Sequence, residues 1–406
     1  MIVLAGAILV LPDRVIDAGS IVVSDGRIAA IHDRAIDKPA GATYRDLAGH
    51  VIVPGFIDVH VHGVEGVDVL DDELAVARVA AILPKYGVTA FCPTSIACTP
   101  ERLSALLAGV HAARGARAPG SAHVLPAHLE SNFINPEFNG AQPLTCLRIP
   151  RAQGTQSSSR RSSPDGARAE ADAFTADDIL RVIAQQRSSV GIVTMAPELP
   201  GGIDLVRDLV THGHRVSLGH TGATYDEARA AIDAGARHAT HLFNRMSLIS
   251  SRAPGVTGAV LESTAVAAEL ICDGVHVHPA LMAMAIRAKT ARRMMAITDG
   301  TAGTGLPPGS RTRIGDRAIV VTDRCALLED GTLAGSILSM DGAFRMLVNE
   351  VKLSLPDASR MCATTPAEEL GLADYGSIAI GKTADLVVLT RDLKVGQTYV
   401  AGELFQ

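Results

Sequence analysis

The 406-residue chain contains no tryptophan, and aromatic residues make up only 3 % of it. Its core must therefore be aliphatic, and 38 glycines with 20 prolines indicate a chain that turns often. Charged residues account for 20 % and hydrophobic residues for 47 % of the sequence, which excludes a disordered or collagen-like protein. This composition favours an α/β protein of two or three domains, or one large barrel with an appendage.

Basic clusters and membrane-length apolar runs are also missing. No run of Lys or Arg is longer than a pair and the net charge is −6, so we predict no nucleic-acid partner and no anionic membrane surface. Residues 1–12 are uncharged, but they lack the basic lead of a signal peptide and are shorter than the roughly 20 residues of a membrane span. We therefore predict no membrane partner and a cytoplasmic location.

Cysteine is present without the spacing of a redox or zinc motif. None of the six cysteines belongs to a CxxC pair, and most stand in apolar strings. We predict free, buried thiols at Cys92, Cys98, Cys146, Cys272, Cys325 and Cys362.

Strand-like patterns occur at both ends of the chain. Residues 2–11, 20–31 and 44–55 are rich in β-formers with a period near two, and residues 377–390 and 398–406 have the same pattern. Both ends are therefore predicted to form one small β-sandwich domain, from residues 1–53 and 356–406.

The middle of the chain alternates short apolar runs with helical stretches. From Phe56 to Gly300 the spacing averages about thirty residues per unit, which indicates a (β/α)8 TIM barrel over residues 54–355. The eight runs are residues 56–63, 88–95, 122–131, 190–198, 215–222, 238–244, 265–274 and 294–300. Residues 148–173 are rich in Ser and Arg without a hydrophobic period, and we predict a mobile insertion on a barrel loop there.

His60 and His62 end the first barrel run. The chain has three His-x-His pairs, so the pattern alone means little. Alternate residues of a strand share one face, and this pair lies at the carboxyl end of the strand, where barrel enzymes keep their active sites. The pair His212 and His214 falls at the opposite end of the barrel, and we expect both residues to be structural.

Four further runs bring an acid or a histidine to the same end of the barrel, namely Glu130, His220, His241 and Asp299. Imidazoles together with carboxylates suit one or two divalent ions, with zinc as the first expectation and iron or manganese as alternatives. Such an ion activates water at neutral pH, and Asp299 could take the proton and return it to a leaving nitrogen. This chemistry is hydrolysis of an amide or a related bond.

A phosphate-loop pattern is present at residues 376–383 (GSIAIGKT). That motif needs a preceding strand and a following helix, whereas here a helical stretch precedes and a strand follows. We therefore interpret the segment as a β-hairpin of the small domain.

Several motifs together resemble the amidohydrolase superfamily and, within it, the N-acetylglucosamine-6-phosphate deacetylases. They are PGFIDVHVHG, HLE, SLGHTGATYDEA, THLFN, ITDG and GSIAIGKTADLVVL, and they cover nearly the whole chain. The resemblance implies a principal metal site at Glu130, His220 and His241, a second at His60 and His62, and Asp299 as general base and acid. It also implies a homodimer.

The same resemblance implies a substrate site for a phosphorylated amino sugar. Asn244, Arg252 and His276 match substrate contacts, and Arg252 is expected to reach the sugar phosphate within one chain or across a dimer interface. Ala334, Gly335 and Ser336 match a loop that closes over the sugar.

Two positions depart from the family pattern beside this site. Gln142 stands where the family commonly has a histidine thought to polarise the acetyl carbonyl, and Gln cannot supply a positive charge. Arg245 replaces a small residue and adds a cation next to Asn244. We retain both as candidate substrate contacts.

The expected activity is metal-dependent removal of the acetyl group from N-acetylglucosamine 6-phosphate. Another acetamido sugar, an N-acyl amino acid or a cyclic amide such as a dihydropyrimidine is the alternative substrate. A barrel that has lost catalysis and serves as a scaffold is the alternative from another class.

Overall fold

The computed structural model describes residues 1–150 and 174–405. Five strands come first: β1 (Ile2–Val10), β2 (Val15–Ser24), β3 (Arg27–His32), β4 (Thr43–Asp46) and β5 (Val51–Pro54). β1 pairs antiparallel with β2 and parallel with β4 and β5, and β2 pairs antiparallel with β3. The insertion predicted at residues 148–173 lies outside the described residues after its first three positions.

The barrel strands follow, interrupted by one short hairpin. They are β6 (Phe56–Val61), the hairpin β7 (Gly63–Val64) and β8 (Val67–Asp68), then β9 (Val88–Ser95), β10 (His123–Val124), β11 (Ala127–Glu130), β12 (Val190–Met195), β13 (Arg215–Leu218), β14 (His238–Ala239), β15 (Ala267–Ile271) and β16 (Met294–Ile297).

Apart from the hairpin, these strands form a closed parallel barrel. β6 pairs with β9, β10 and β11 share the next position, and β12 to β16 continue in chain order. A parallel bridge between Val61 and Gly300 returns the last strand to the first. All eight predicted runs contain a barrel strand, and the (β/α)8 barrel is confirmed.

Helices lie between the barrel strands and after them. They are α1 (Ala75–Ile82), α2 (Pro100–Gly115), α3 (Ala176–Gln185), α4 (Gly202–Thr211), α5 (Tyr225–Asp233), α6 (Gly255–Glu262), α7 (Pro279–Lys289), α8 (Met340–Asn349), α9 (Leu355–Ser359) and α10 (Thr365–Leu370). Short 3-10 segments cover Leu83–Tyr86, Pro136–Phe138, Leu144–Cys146, Arg187–Ser189 and Ala291–Arg293, and Arg360–Thr364 is a π-helix. Thr175 and Thr224 start α3 and α5 with capping boxes, which satisfy backbone donors of the first turn.

The remaining strands complete two sheets. β17 (Arg311–Ile314), β18 (Arg317–Val321) and β19 (Ala326–Leu327) form a small antiparallel sheet. β20 (Leu386–Leu389), β21 (Val395–Val400) and β22 (Glu403–Leu404) join β5, so strands from both chain ends share one eight-stranded sheet. The domain boundaries at 53/54 and 355/356 stay a prediction.

Two local expectations are corrected. Residues 376–383 form turns instead of a hairpin, because their backbone bonds to distant Ile28: Gly381 N–H donates to the Ile28 carbonyl and Ile28 N–H to the Lys382 carbonyl. The six cysteines are free as predicted, but Cys146 and Cys325 are half-buried. Within residues 1–150 and 174–405, we find no helix whose length and hydropathy would suit a membrane crossing.

Candidate metal centre

The predicted site residues converge at the carboxyl end of the barrel. Glu130 is the last residue of β11, and His220, His241 and Asp299 each follow two residues after a barrel strand. These last three have positive φ angles of 47°, 31° and 51°. Non-glycine residues rarely adopt this conformation, which costs about 1–3 kcal/mol each and concentrates at functional sites.

Six side chains bring their donor atoms within a few ångströms of one another. Glu130 Oε1 lies 2.7 Å from His220 Nε2 and 2.8 Å from His241 Nε2, and these two nitrogens are 3.1 Å apart. On the other side, Asp299 Oδ1 lies 3.3 Å from His60 Nε2 and 3.1 Å from His62 Nε2.

Glu130 joins the two groups into one cluster. Its Oε1 lies 3.9 Å from His60 Nε2, and its Oε2 lies 3.8 Å from His62 Nε2. The six residues are all buried. The candidate ligands therefore form one continuous centre with Glu130 between the two histidine pairs.

Hydrogen bonds at Nδ1 determine the tautomer of three histidine rings. Nδ1 of His62 lies 3.0 Å from the Thr94 carbonyl, and Nδ1 of His220 lies 2.7 Å from the Phe138 carbonyl. A carbonyl only accepts, so Nδ1 donates and a neutral ring presents a lone pair at Nε2. His60 Nδ1 lies 2.9 Å from Glu269 Oε2, and burial raises the pKa of this carboxyl group.

The Nε2 atoms of the histidines and the carboxylate oxygens point toward one common centre. The Nε2 atoms of His60 and His62 are 3.2 Å apart, so both can present a lone pair to one ion when both rings are neutral. Imidazole nitrogens with carboxylate oxygens are the ligands of zinc and similar divalent ions, and a second hydrogen bond at Nδ1 is typical of such histidines. The donor set thus fits one or two divalent cations.

The protonation equilibria support the same conclusion. Burial lowers the pKa of His60 to about 4. Burial also opposes charge on His62 and His241, but hydrogen bonds with Asp299 and Glu130, respectively, raise both pKa values to about 9. A cation would compete with protons for these nitrogens, so its binding should release protons.

Both carboxylates of the cluster favour the ionised state. Burial alone would raise their pKa values. His220 and His241 hold the pKa of Glu130 well below its ordinary value, and His60 and His62 lower that of Asp299. The two carboxylates therefore carry negative charge that can hold a cation or accept a proton.

Two buried carboxylates that we did not single out in the sequence support the histidines. Glu269, in the middle of β15, also accepts the backbone N–H of His241 at 3.3 Å. Asp58, in β6, accepts the backbone N–H of His60 at 3.2 Å and the Thr298 hydroxyl at 2.5 Å, and burial raises its pKa to about 7. An acid inside an apolar strand run needs a buried partner, and that signal was present in the sequence.

A cavity of about 100 Å³ opens onto the centre. Of the predicted substrate residues, the following line it: Gln142, Asn244, Arg245, His276 and Gly335. Gln142 is buried and its amide is already engaged, because Nε2 donates to Glu130 Oε2 and Oε1 accepts the Ala97 N–H. Nδ1 of His276 lies 2.7 Å from Asp273, and Asn244 donates to the His241 carbonyl at 3.2 Å.

The other predicted substrate residues lie outside the lining. Ala334 and Ser336 are buried, and Ser336 donates its N–H to the Asp299 carbonyl at 2.7 Å. This segment is therefore held against the end of β16. Arg252 is exposed in the loop before α6.

Comparison with known proteins identifies the family of this site. Residues 51–405 match the model described as the amidohydrolase family. The chain is 32 % identical over 402 residues to the N-acetylglucosamine-6-phosphate deacetylase of Bacillus subtilis (strain 168), covering 98 % of this chain and 95 % of that protein. It is 33 % identical over 384 residues to the N-acetylgalactosamine-6-phosphate deacetylase of Escherichia coli O157:H7, covering 94 % and 93 %.

A solved structure shows the same fold over the whole chain. It is that of a mutant N-acetyl-D-glucosamine-6-phosphate deacetylase from Mycobacterium smegmatis in complex with N-acetyl-D-glucosamine-6-phosphate. The TM-score is 0.85 at 31 % identity, and the match covers 100 % of this chain and 99 % of that chain. The chain belongs to the amidohydrolase family.

Proposed function

We propose that this protein is a metal-dependent hydrolase that converts N-acetylglucosamine 6-phosphate to glucosamine 6-phosphate and acetate. The convergence of four imidazole Nε2 atoms and two carboxylates at the carboxyl end of the barrel carries the proposal. Relatives covering nearly the whole chain act on this class of substrate by name, which supports the choice of sugar phosphate.

Glu130, His220 and His241 would hold the principal ion, and His60 and His62 with Asp299 a second. When bound, a divalent ion activates water and polarises the scissile carbonyl as a Lewis acid. Asp299 is ionised because the neighbouring imidazoles lower its pKa, and it can therefore accept the proton of the attacking water. The same carboxyl group then returns the proton to the amine nitrogen that leaves.

The walls of the cavity would orient the sugar. Nδ1 of His276 donates to Asp273, so a neutral His276 keeps Nε2 as an acceptor for a sugar hydroxyl. Arg245 lines the cavity and brings a guanidinium that suits a phosphate. We keep Arg252 as a phosphate contact and residues 334–336 as the sugar-facing segment. Gln142 acts through Glu130, whose carboxylate its amide orients.

A second candidate substrate is N-acetylgalactosamine 6-phosphate. The relative from Escherichia coli O157:H7 carries that activity in its name, and its 33 % identity is similar to the 32 % of the Bacillus subtilis protein. The two sugars differ only in the orientation of one hydroxyl group, so the shared chemistry of the site accommodates both. Other N-acyl and cyclic amides remain the wider alternative.

Hydrolysis of a panel of substrates tests the proposal, measured as acetate release for the N-acetyl compounds and as ring opening for the cyclic amide. The panel contains both acetamido sugars with and without the 6-phosphate, an N-acetyl amino acid and dihydrouracil. We expect turnover of N-acetylglucosamine 6-phosphate and little turnover of the unphosphorylated sugar. Equal activity with and without the phosphate, or preference for a cyclic amide, would overturn the assignment.

Asp299→Asn separates proton transfer from metal binding. The asparagine oxygen can still ligate, but it does not accept a proton, so we expect kcat to fall by about 10²–10⁴-fold while the metal content stays near that of the wild type. Retained activity would reject the role of Asp299. Less than one equivalent of bound ion in metal-replete wild-type protein would favour a non-catalytic scaffold.

We extend the proposal to zinc as the ion, a homodimer as the assembly and the cytoplasm as the location. Elemental analysis, light scattering and fractionation test these points in turn. Iron or manganese would change only the identity of the ion, since the same ligands suit all three.

A further inference from the structure

A second and larger cavity lies at the opposite end of the barrel. Its volume is about 610 Å³, within the range of roughly 300–1,000 Å³ found for small-molecule sites. Its walls come from the starts of β10, β12 and β13, the end of α2 and the residues after α10. No residue of the metal centre lines it, so the proposed deacetylation does not use this space.

The charged groups around this cavity are cationic. Arg114, Arg117 and Arg215 line it beside the His123 ring, and no carboxylate from the described part of the chain does. Three acids stand behind this lining: Glu403 lies 3.4 Å from Arg117, Asp385 lies 3.3 Å from His123, and Glu369 interacts with Arg215. A concave surface lined by cations is unexpected in a chain of net charge −6.

Arg215 is the most informative of these residues. It stands in register with Ile192 of the neighbouring parallel strand, so both side chains share one face of the sheet. Ile192 packs with Cys92 and Leu125 inside the barrel, which places Arg215 at the lower mouth of the interior.

The guanidinium of Arg215 is half-buried and donates no hydrogen bond to any residue in the described ranges. Its surroundings disfavour an unpaired cation, because burial lowers the pKa of Arg215 and the charge of Glu369 only partly opposes this. Arg114, by contrast, donates to the Ser188 carbonyl at 2.5 Å, and Arg117 donates to the Ser121 carbonyl at 3.1 Å and to Glu403 at 3.4 Å. Arg215 thus has donors available for a ligand.

The rest of the wall is apolar. Leu125, Leu370 and Leu372 line the cavity, together with the ring of Tyr375, which packs edge-on against His123 at 4.9 Å. A bare inorganic anion would leave this surface in contact with water. An anion attached to an apolar or aromatic body would cover it.

We propose that this cavity is a second ligand site, which binds an organic phosphate ester through Arg215 and Arg117 and holds its apolar body against Leu370, Leu372 and Tyr375. Guanidinium groups bind phosphate oxygens in pairs, and several of them favour a dianion over a monoanion. The site is separate from the catalytic mouth, so it can be tested whatever the substrate is.

Calorimetric titration of the full-length, metal-replete protein with phenyl phosphate tests the proposal. Inorganic phosphate and phenol are titrated separately, because each represents one part of phenyl phosphate. Arg215→Gln removes one positive charge from the cavity wall. Arg292→Gln is the matched control, because Arg292 is exposed in the 3-10 segment just before β16, at the same end of the barrel, and lies outside the lining. Leu372→Glu is a second variant that places a carboxylate on the cavity wall.

We expect saturable binding of phenyl phosphate to the wild type and to Arg292→Gln, and at least a tenfold loss of affinity in both Arg215→Gln and Leu372→Glu. Phenyl phosphate should bind more tightly than either half-ligand. No saturation up to about 10 mM, or equal affinity in Arg215→Gln and Arg292→Gln, would overturn the site. Equal affinity for inorganic phosphate would overturn the apolar part of the proposal.

Discussion

Replacing Glu269 by glutamine keeps the shape of a buried side chain and removes its capacity to ionise. In the wild type one carboxylate oxygen accepts Nδ1–H of His60 at 2.9 Å and the backbone N–H of His241 at 3.3 Å. The first bond sets the His60 tautomer that presents Nε2 to the centre. Glu269 therefore acts as a positioning residue for two candidate ligands from different strands.

The expected magnitude follows from the change in hydrogen-bond type. A bond to a charged acceptor contributes about 1.5–3 kcal/mol and a neutral bond about 0.5–1.5 kcal/mol, so Glu269→Gln should cost about 1.4 kcal/mol of metal-binding free energy. That corresponds to a metal dissociation constant about tenfold higher, at the lower end of the 10–100-fold range for groups that orient metal ligands.

Competition with a chromophoric chelator on metal-free protein measures this constant directly. Glu65→Gln is the control, because Glu65 pairs with Lys85 and Tyr86 on the hairpin side of the same barrel end and does not contact the histidines. A dissociation constant within twofold of the wild type in Glu269→Gln would refute the positioning role. A similar rise in Glu65→Gln would attribute the effect to general loss of carboxylate charge.

Three further predictions test other parts of the molecule. Gly335→Ala should lower kcat at least about tenfold, because Gly335 has a φ of +56° and a Cβ would lie 2.8 Å from the Asp299 carbonyl oxygen; steady-state kinetics decide. Arg245→Ala should raise KM for the phosphorylated substrate and leave that for the unphosphorylated sugar unchanged. Burial lowers the pKa of His214, so the unfolded state binds more protons than the folded state below about pH 6.5, and the free energy of unfolding falls as the pH drops. Urea titrations should therefore show a smaller loss of unfolding free energy between about pH 7 and 5 in His214→Phe than in the wild type.

The barrel could be predicted because its strands are buried on both faces. Each strand then appears as a continuous apolar run, and a polar residue at its carboxyl end stands out. His220, His241 and Asp299 were found in this way, two residues beyond their strands. Their convergence followed from the parallel topology alone.

Contacts between distant positions could not be predicted in the same way. The bond from His60 to Glu269 spans 209 positions. Glu269 lies in the middle of a strand, where the strand-end argument does not apply. Similarly, residues 376–383 were expected to pair with themselves, but Ile28 offers them backbone partners and replaces the hairpin. The local sequence pattern therefore predicts helices and strands, whereas the partner of each backbone or side-chain group depends on residues that are distant in the sequence.

Backbone strain and the close approach of metal-binding side chains both raise the free energy of the folded protein, and both occur at the same residues. Positive φ at His220, His241 and Asp299 costs about 3–9 kcal/mol in total, at about 1–3 kcal/mol each. The two buried carboxylates also lose their hydration, and without an ion only the neighbouring imidazoles offset that loss. A divalent ion can offset both, since structural zinc binding contributes about 10–16 kcal/mol in small peptides. Strain alone could serve a turn and buried acids alone could serve a hydrogen-bond network, but their coincidence at one barrel mouth favours a site for a cation.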